Sequence, residues 1–169
     1  VATTIYCSIG ISRFYSRNIN MKPIIQKLIH WAGLAIKGLD FIRPIVDLIA
    51  RVWIAQVFWL AGMTKVSSWD TTLSLFEEEY QVPLLAPDVA AVLATSVELG
   101  GAVLLVMGLG ARGAATALFI LNIVAAISYP DLSEAGLKDH YYWGLFLAFF
   151  IVHGAGKLSF DQLIRRKFM

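Results

Sequence analysis

The stretch that most constrains this chain runs from Pro87 to Gly110, PDVAAVLATSVELGGAVLLVMGLG, an apolar run with one acid, Glu98, in its interior. At about 1.5 Å per residue, a run of this length crosses a hydrocarbon core about 30 Å thick. An ionised side chain at that depth is costly and turns toward other protein rather than toward lipid. On the same helix, the positions three and four residues away hold Ala94, Thr95, Gly101 and Ala102. None of these can neutralise a carboxylate. Glu98 must take up a proton or be met by another helix, so the run demands a bundle.

Composition agrees with that demand. The 169 residues are 58% hydrophobic and 15% charged, with a mean hydropathy of +0.68, the profile of an integral membrane protein. A net charge of +2 gives no reason to expect a nucleic-acid partner. Cys7 is the single cysteine, which excludes an internal disulfide, a CxxC redox pair and a thiolate metal site.

The chain divides into three parts: 1–43, an N-terminal extension with a surface helix; 44–161, the membrane domain; and 162–169, a basic tail. Residues 1–20 are polar and weakly patterned, with too short an apolar run for a signal peptide. Met21-Lys22-Pro23 has the form of a natural start, so the first twenty residues are expected to be an upstream extension. From Pro23 to Phe41, apolar residues interleaved with Lys27 and Lys37 predict an amphipathic helix on the membrane surface, or an ordinary lead-in to the first span. Pro44–Lys65 is the first expected span, with Pro44 at its start. Val66–Ala86 is too polar to cross. Trp69, Leu73, Phe76 and Tyr80, spaced by three and four, make it an amphipathic or re-entrant outer helix ending before Pro83. The Pro87–Gly110 run is the second span, and a tight turn at Gly110-Ala111-Arg112-Gly113 leads to the third, Ala114–Tyr129. The fourth is His140–Gly156. The predicted fold is therefore an all-α membrane protein, a four-transmembrane-helix bundle.

Orientation follows from the basic residues. Arg13, Arg17, Lys22, Lys27, Lys37, Arg43, Arg112, Lys157, Arg165, Arg166 and Lys167 fall on one side. Only Lys65 and Lys138 fall on the other, with most of the acids. Both termini are then cytoplasmic, which requires an even number of crossings.

Counting depth along each span puts Gln56, Glu98 and Asn122 near one level, with Arg51 and His153 a turn or two nearer the basic side. These five form a candidate intramembrane pocket for a polar-headed, apolar-tailed ligand such as a quinone. Arg51 would pair with Glu98 or hydrogen-bond a carbonyl, and Glu98 and His153 would exchange protons. A plainer reading stands beside it. Asp47, one turn before Arg51, can pair with it in-helix, the arginine can snorkel to headgroups, and an Arg51–Glu98 pair can be purely structural. At the outer face, Lys65, Trp69, Asp139, His140, Tyr141 and Tyr142 read as an aromatic belt with solvated charges as readily as a partner site. One histidine with one aspartate is thin ground for a metal.

Arg51, Phe58, Gly62 and Lys65 share one helix face, and Glu98, Gly101, Leu105, Gly108 and Arg112 share another. With Glu98-Leu99-Gly100-Gly101, Gly108-Leu109, and His153-Gly154-Ala155-Gly156-Lys157-Leu158-Ser159 before Asp161, this set resembles the DoxX family over about Ile45 to Asp161. Ala55 stands where the family's glycine is expected. The resemblance implies a four-helix bacterial inner-membrane protein, a quinone-interacting or anchoring subunit of a small sulfur- or stress-related oxidoreductase complex. It also implies a family pattern at Arg51, Lys65, Glu98 and Arg112 without assigning any of them a catalytic role. No haem, flavin or iron–sulfur motif is present, so no cofactor of its own is expected, and a redox or periplasmic protein partner must supply one. A non-enzymatic assembly partner, a small transporter in metal or thiol stress, and a homo-oligomer are the alternatives.

Overall fold

The computed structural model describes residues 23–80, 82 and 84–168. The expected upstream extension, residues 1–20, and the Met21-Lys22 start lie outside the described residues. Regular structure among them is entirely helical: α1 (Pro23–Ser67), α2 (Trp69–Glu78), α3 (Pro87–Met107), α4 (Ala111–Ser128), α5 (Glu134–His153) and α6 (Phe160–Phe168). The chain divides into two compact units, 1–41 and 42–169. In the first, the described residues are helical and present Leu28, Trp31, Leu39 and Phe41 to the outside. The second carries everything that follows.

Several element starts differ from expectation, among them α5, which begins at Glu134 ahead of the expected His140, and α2, which begins at Trp69 after the expected Val66. Pro44 lies inside α1 rather than at the head of a separate span. A proline within a helix loses one hydrogen bond and crowds the preceding turn, which is costly without being prohibitive. Pro87, by contrast, does begin its helix, at the first position after Ala86. α4 begins at Ala111, ahead of the expected Ala114. The turn before it is Gly108-Leu109-Gly110, with both glycines at positive φ (+67° and +56°). The reason for the early start is distant in sequence: the Asp161 carboxylate accepts from the Gly110 amide at 2.8 Å and the Ala111 amide at 3.1 Å. That carboxylate caps α4, where the orphan amides and the helix dipole favour an anion.

Four helices close a ring. α1 meets α3 where Gly62 lies against Leu99, and α3 meets α4 where Gly101 lies against Leu118. α4 meets α5 where Gly144 lies against Asn122. α5 returns to α1 through Trp143 on Phe58 and Phe146 on Trp53. The core between them is Ile54, Phe58, Leu105, Leu118, Leu147 and Phe150 with a set of alanines. Ile49, Leu60, Val92, Ile123, Ile127, Leu145 and Val152 face outward. A small-residue interior beneath an apolar exterior is the pattern of helices associating in lipid, where close packing rather than escape from water holds them together. α2 lays Thr72 and Phe76 inward, and Phe76 packs with Ala90, Ala91 and Ala94 of α3.

Among the described residues, three helices are long and apolar enough to cross a membrane: Ile25–Ser67 within α1, Pro87–Met107 and Ala111–Ser128. α5, which holds the expected fourth span up to His153, is 20 residues long. It is not among them, because Glu134, Lys138, Asp139 and His140 make its first half polar.

Candidate functional site

Glu98 is buried on α3, and its charge is met by another helix. The partner is Lys65 near the end of α1, whose Nζ donates to Oε1 at 2.7 Å and to Oε2 at 2.9 Å. Gly62, one turn earlier, makes the contact feasible: a Cβ there would lie 2.8 Å from the Leu99 side chain. Arg51 therefore does not pair with Glu98. Depth counting had taken α1 and α3 as level, whereas the Gly62–Leu99 and Lys65–Glu98 contacts show them offset along their axes.

Beside this ion pair lies a cavity of about 370 Å³ between α2, α3 and α4. Its walls are mostly apolar, with Phe76, Ala90, Ala94, Val97, Leu121 and Val124 among them. Leu93 and Ile120 also line it and are exposed, so the cavity is open rather than sealed. Its polar lining is Lys65, Glu98, Tyr80, Ser128, Tyr129 and His140. Tyr80 is held edge-on between Phe76 and Tyr129, with ring centroids 4.9 and 5.4 Å away.

Two donors in this lining have capacity to spare. An ammonium carries three N–H groups, and Lys65 uses two on Glu98. Ser128 is 2% exposed, and its hydroxyl has no hydrogen-bond partner among the described residues. A buried hydroxyl left without a partner is costly, so a native one points to a missing acceptor.

Asn122 sets the histidine. Its Nδ2 donates to the His140 carbonyl at 2.9 Å, leaving Oδ1 to face the ring Nδ1 at 2.8 Å. An amide oxygen only accepts, so Nδ1 carries the proton and the neutral ring keeps Nε2 as an acceptor. His140 also stacks edge-on against Trp143 at 5.0 Å.

The five residues expected to share one pocket separate. Glu98 lines the cavity and Asn122 stands behind it through His140. Gln56 is exposed on the apolar exterior of α1. Arg51 and His153 belong to the opposite end of the bundle. Arg51 is 0% exposed and donates through Nη2 to the Leu158 carbonyl, with Asp47 and Asp161 as its nearby counter-charges. It packs against Gly108, where any Cβ would collide with the guanidinium. This arginine therefore fastens the segment after α5 to the α3–α4 turn instead of snorkelling outward. His153 stacks on Phe149 and faces Asp47 at 3.3 Å.

Sequence alone places Lys65 in the outer cluster and in the family pattern with Glu98 without pairing the two, and it gives no sign of Tyr80, Ser128 or Tyr129 as site residues. The signal for Lys65 was present: Gly62 and Lys65 share a face, as do Glu98 and Gly101, and joining those faces through their small residues gives the pair.

The DoxX family model matches residues 46–130, half of the chain. The match takes in the latter part of α1 through α4, hence Lys65, Glu98 and Ser128, and stops before His140. Neither the curated proteins nor the solved structures return a match.

Proposed function

The chain belongs to the DoxX family and is a multi-pass membrane protein, and from that premise we propose that it is a quinone-interacting subunit of a membrane oxidoreductase. α5 makes a fourth crossing, and both termini lie on the cytoplasmic side of a bacterial inner membrane, as the basic residues demand. The observation that carries the reading is the 370 Å³ cavity, apolar in its walls, with a buried ion pair and an unspent hydroxyl in its lining. Its size falls in the range of small-molecule sites. Its chemistry suits a ring with two carbonyl oxygens and an isoprenoid tail.

In this reading the third N–H of Lys65 and the hydroxyl of Ser128 donate to the carbonyls. Reduction to the quinol takes two electrons and two protons. The electrons come from a redox-active partner protein. Glu98 and Lys65, already hydrogen-bonded, relay protons to the oxygen they face, and His140 Nε2 accepts from a quinol hydroxyl in the reverse direction.

Ser128→Ala is the sharpest test, because the hydroxyl has no partner among the described residues to lose. In lipid nanodiscs a short-chain quinone should raise the thermal midpoint of the wild-type protein saturably. Ser128→Ala should unfold at or slightly above the wild-type temperature without quinone and bind it about three- to tenfold more weakly. A quinone that produces no saturable shift, or binds the variant equally well, defeats the reading.

A second reading, a non-enzymatic assembly partner, draws on one observation: Glu77, Glu78 and Glu79 stand exposed at the end of α2, a negative edge suited to a basic partner protein. Reversing those charges would abolish that association and leave quinone binding unchanged.

A further inference from the structure

A second cavity, of about 270 Å³, lies at the other end of the bundle, where α3 and α5 end and α4 and α6 begin. Four cations line it: Arg43, Arg112, Lys157 and Arg165. Two acids, Asp47 and Asp161, share the lining, and both are already engaged. Asp161 spends one oxygen on the Gly110 amide and the other on the Ala111 amide. Asp47 faces His153 and is covered by Gly156, where a Cβ would stand 2.7 Å from Oδ2.

The cations are not similarly consumed. Among the described residues, no ion pair engages any of the four. Arg112 donates one bond, from Nη2 to the Val152 carbonyl at 3.1 Å, and Arg43 places Nη2 against the His153 ring. A guanidinium has five N–H donors in a fixed fork, so both keep most of their capacity. Four cations against two acids leave the concave wall net positive, a charge that an added anion would offset. The fork geometry of arginine matches phosphate oxygens in particular.

We infer that this cavity binds a phosphate-bearing anion, held by Arg43, Arg112, Lys157 and Arg165. The group is either the phosphodiester headgroup of an anionic lipid or a free phosphate. The site is independent of the quinone reading: it lies at the opposite end of the bundle and shares no lining residue with the other cavity.

The full chain in neutral detergent tests it. Short-chain phosphatidylglycerol, short-chain phosphatidylcholine and inorganic phosphate are titrated separately, and the thermal midpoint is followed. Phosphatidylglycerol or phosphate should raise the midpoint saturably, and added salt should weaken the effect. The double variant Arg43→Gln/Arg165→Gln should lose at least tenfold in apparent affinity. Both side chains are exposed, so its midpoint without ligand should match the wild type. Arg166→Gln, outside the lining, controls for general surface charge and should bind as the wild type does. Saturation by phosphatidylglycerol alone assigns the site to a lipid headgroup, and equal saturation by inorganic phosphate assigns it to the free ion. The inference is overturned if phosphatidylcholine acts as well as phosphatidylglycerol, if neither anion saturates, or if Arg166→Gln weakens binding as much as the double variant.

Discussion

Replacing Lys65 by methionine isolates the interaction that makes a buried carboxylate tolerable on α3. Glu98 keeps 9% of its side chain exposed and Lys65 keeps 20%, and both carboxylate oxygens accept from the one ammonium. At an effective dielectric near 20, unit charges about 4 Å apart attract by about 4 kcal/mol, and desolvation of both groups offsets part of that. Breaking a fully buried pair from one side costs about 3–5 kcal/mol, because the remaining charge is stranded. Lys65 is one-fifth exposed, so some water reaches the site, and the expected loss is about 2–3 kcal/mol. Adding Glu98→Leu removes the stranded charge and should recover most of it, giving a coupling energy of about 2 kcal/mol. Unfolding in mixed micelles of rising SDS content, followed by tryptophan fluorescence, measures each corner of the cycle. Lys138→Met, an exposed lysine on α5, sets the baseline at about 0.5 kcal/mol or less. The reasoning fails if Lys65→Met costs no more than Lys138→Met, or if the double variant is no more stable than Lys65→Met alone.

Two neighbouring glycines separate backbone strain from crowding. Gly110→Ala should cost about 1 kcal/mol, for positive φ alone, because the space around it is open. Gly108→Ala should cost at least 2 kcal/mol more, since its Cβ would also fall on Arg51 and Ser159; equal midpoints for the two variants would place Arg51 elsewhere. Asp161→Ala should cost about 1–2 kcal/mol through loss of the cap on α4 and should speed amide exchange at Gly110 and Ala111. Tyr80 has its phenol pushed above the ordinary tyrosine value of 10.0, first by burial and then by Tyr129, Glu79 and Glu98. The folded state therefore holds the proton longer than the unfolded chain, and stability falls as pH rises beyond that ordinary value. Tyr80→Phe should remove this fall, which alkaline titration of the unfolding midpoint would detect.

Much of the architecture was written in local pattern. The apolar run with Glu98 inside it demanded a helix and a partner helix, and both are present. Phe76 and Thr72 turn inward from α2, the segment whose three-and-four spacing marked it as amphipathic. Proline was a weaker guide. Pro87 starts α3 and Pro44 does not start α1, although the residue brings the same fixed φ and missing donor to both places. Whether a proline begins a helix or is carried within one depends on whether the preceding turn finds its own support, which residue identity does not encode.

The candidate site was legible by residue and not by partnership. Glu98, Asn122, Arg51 and His153 were all marked as polar groups in apolar helices, but depth counting fixes a level only if neighbouring helices start together. The order of side chains along each helix, and therefore which faces are small, polar or apolar, follows from 3.6-residue periodicity and needs no fold. The offset between α1 and α3 is different in kind. Close packing of Gly62 on Leu99 sets it, and only the assembled bundle brings Lys65 to Glu98 and leaves Arg51 for the Leu158 carbonyl. The Asp161 cap on α4 belongs with it, because a carboxylate some fifty residues away satisfies amides that no local residue could reach.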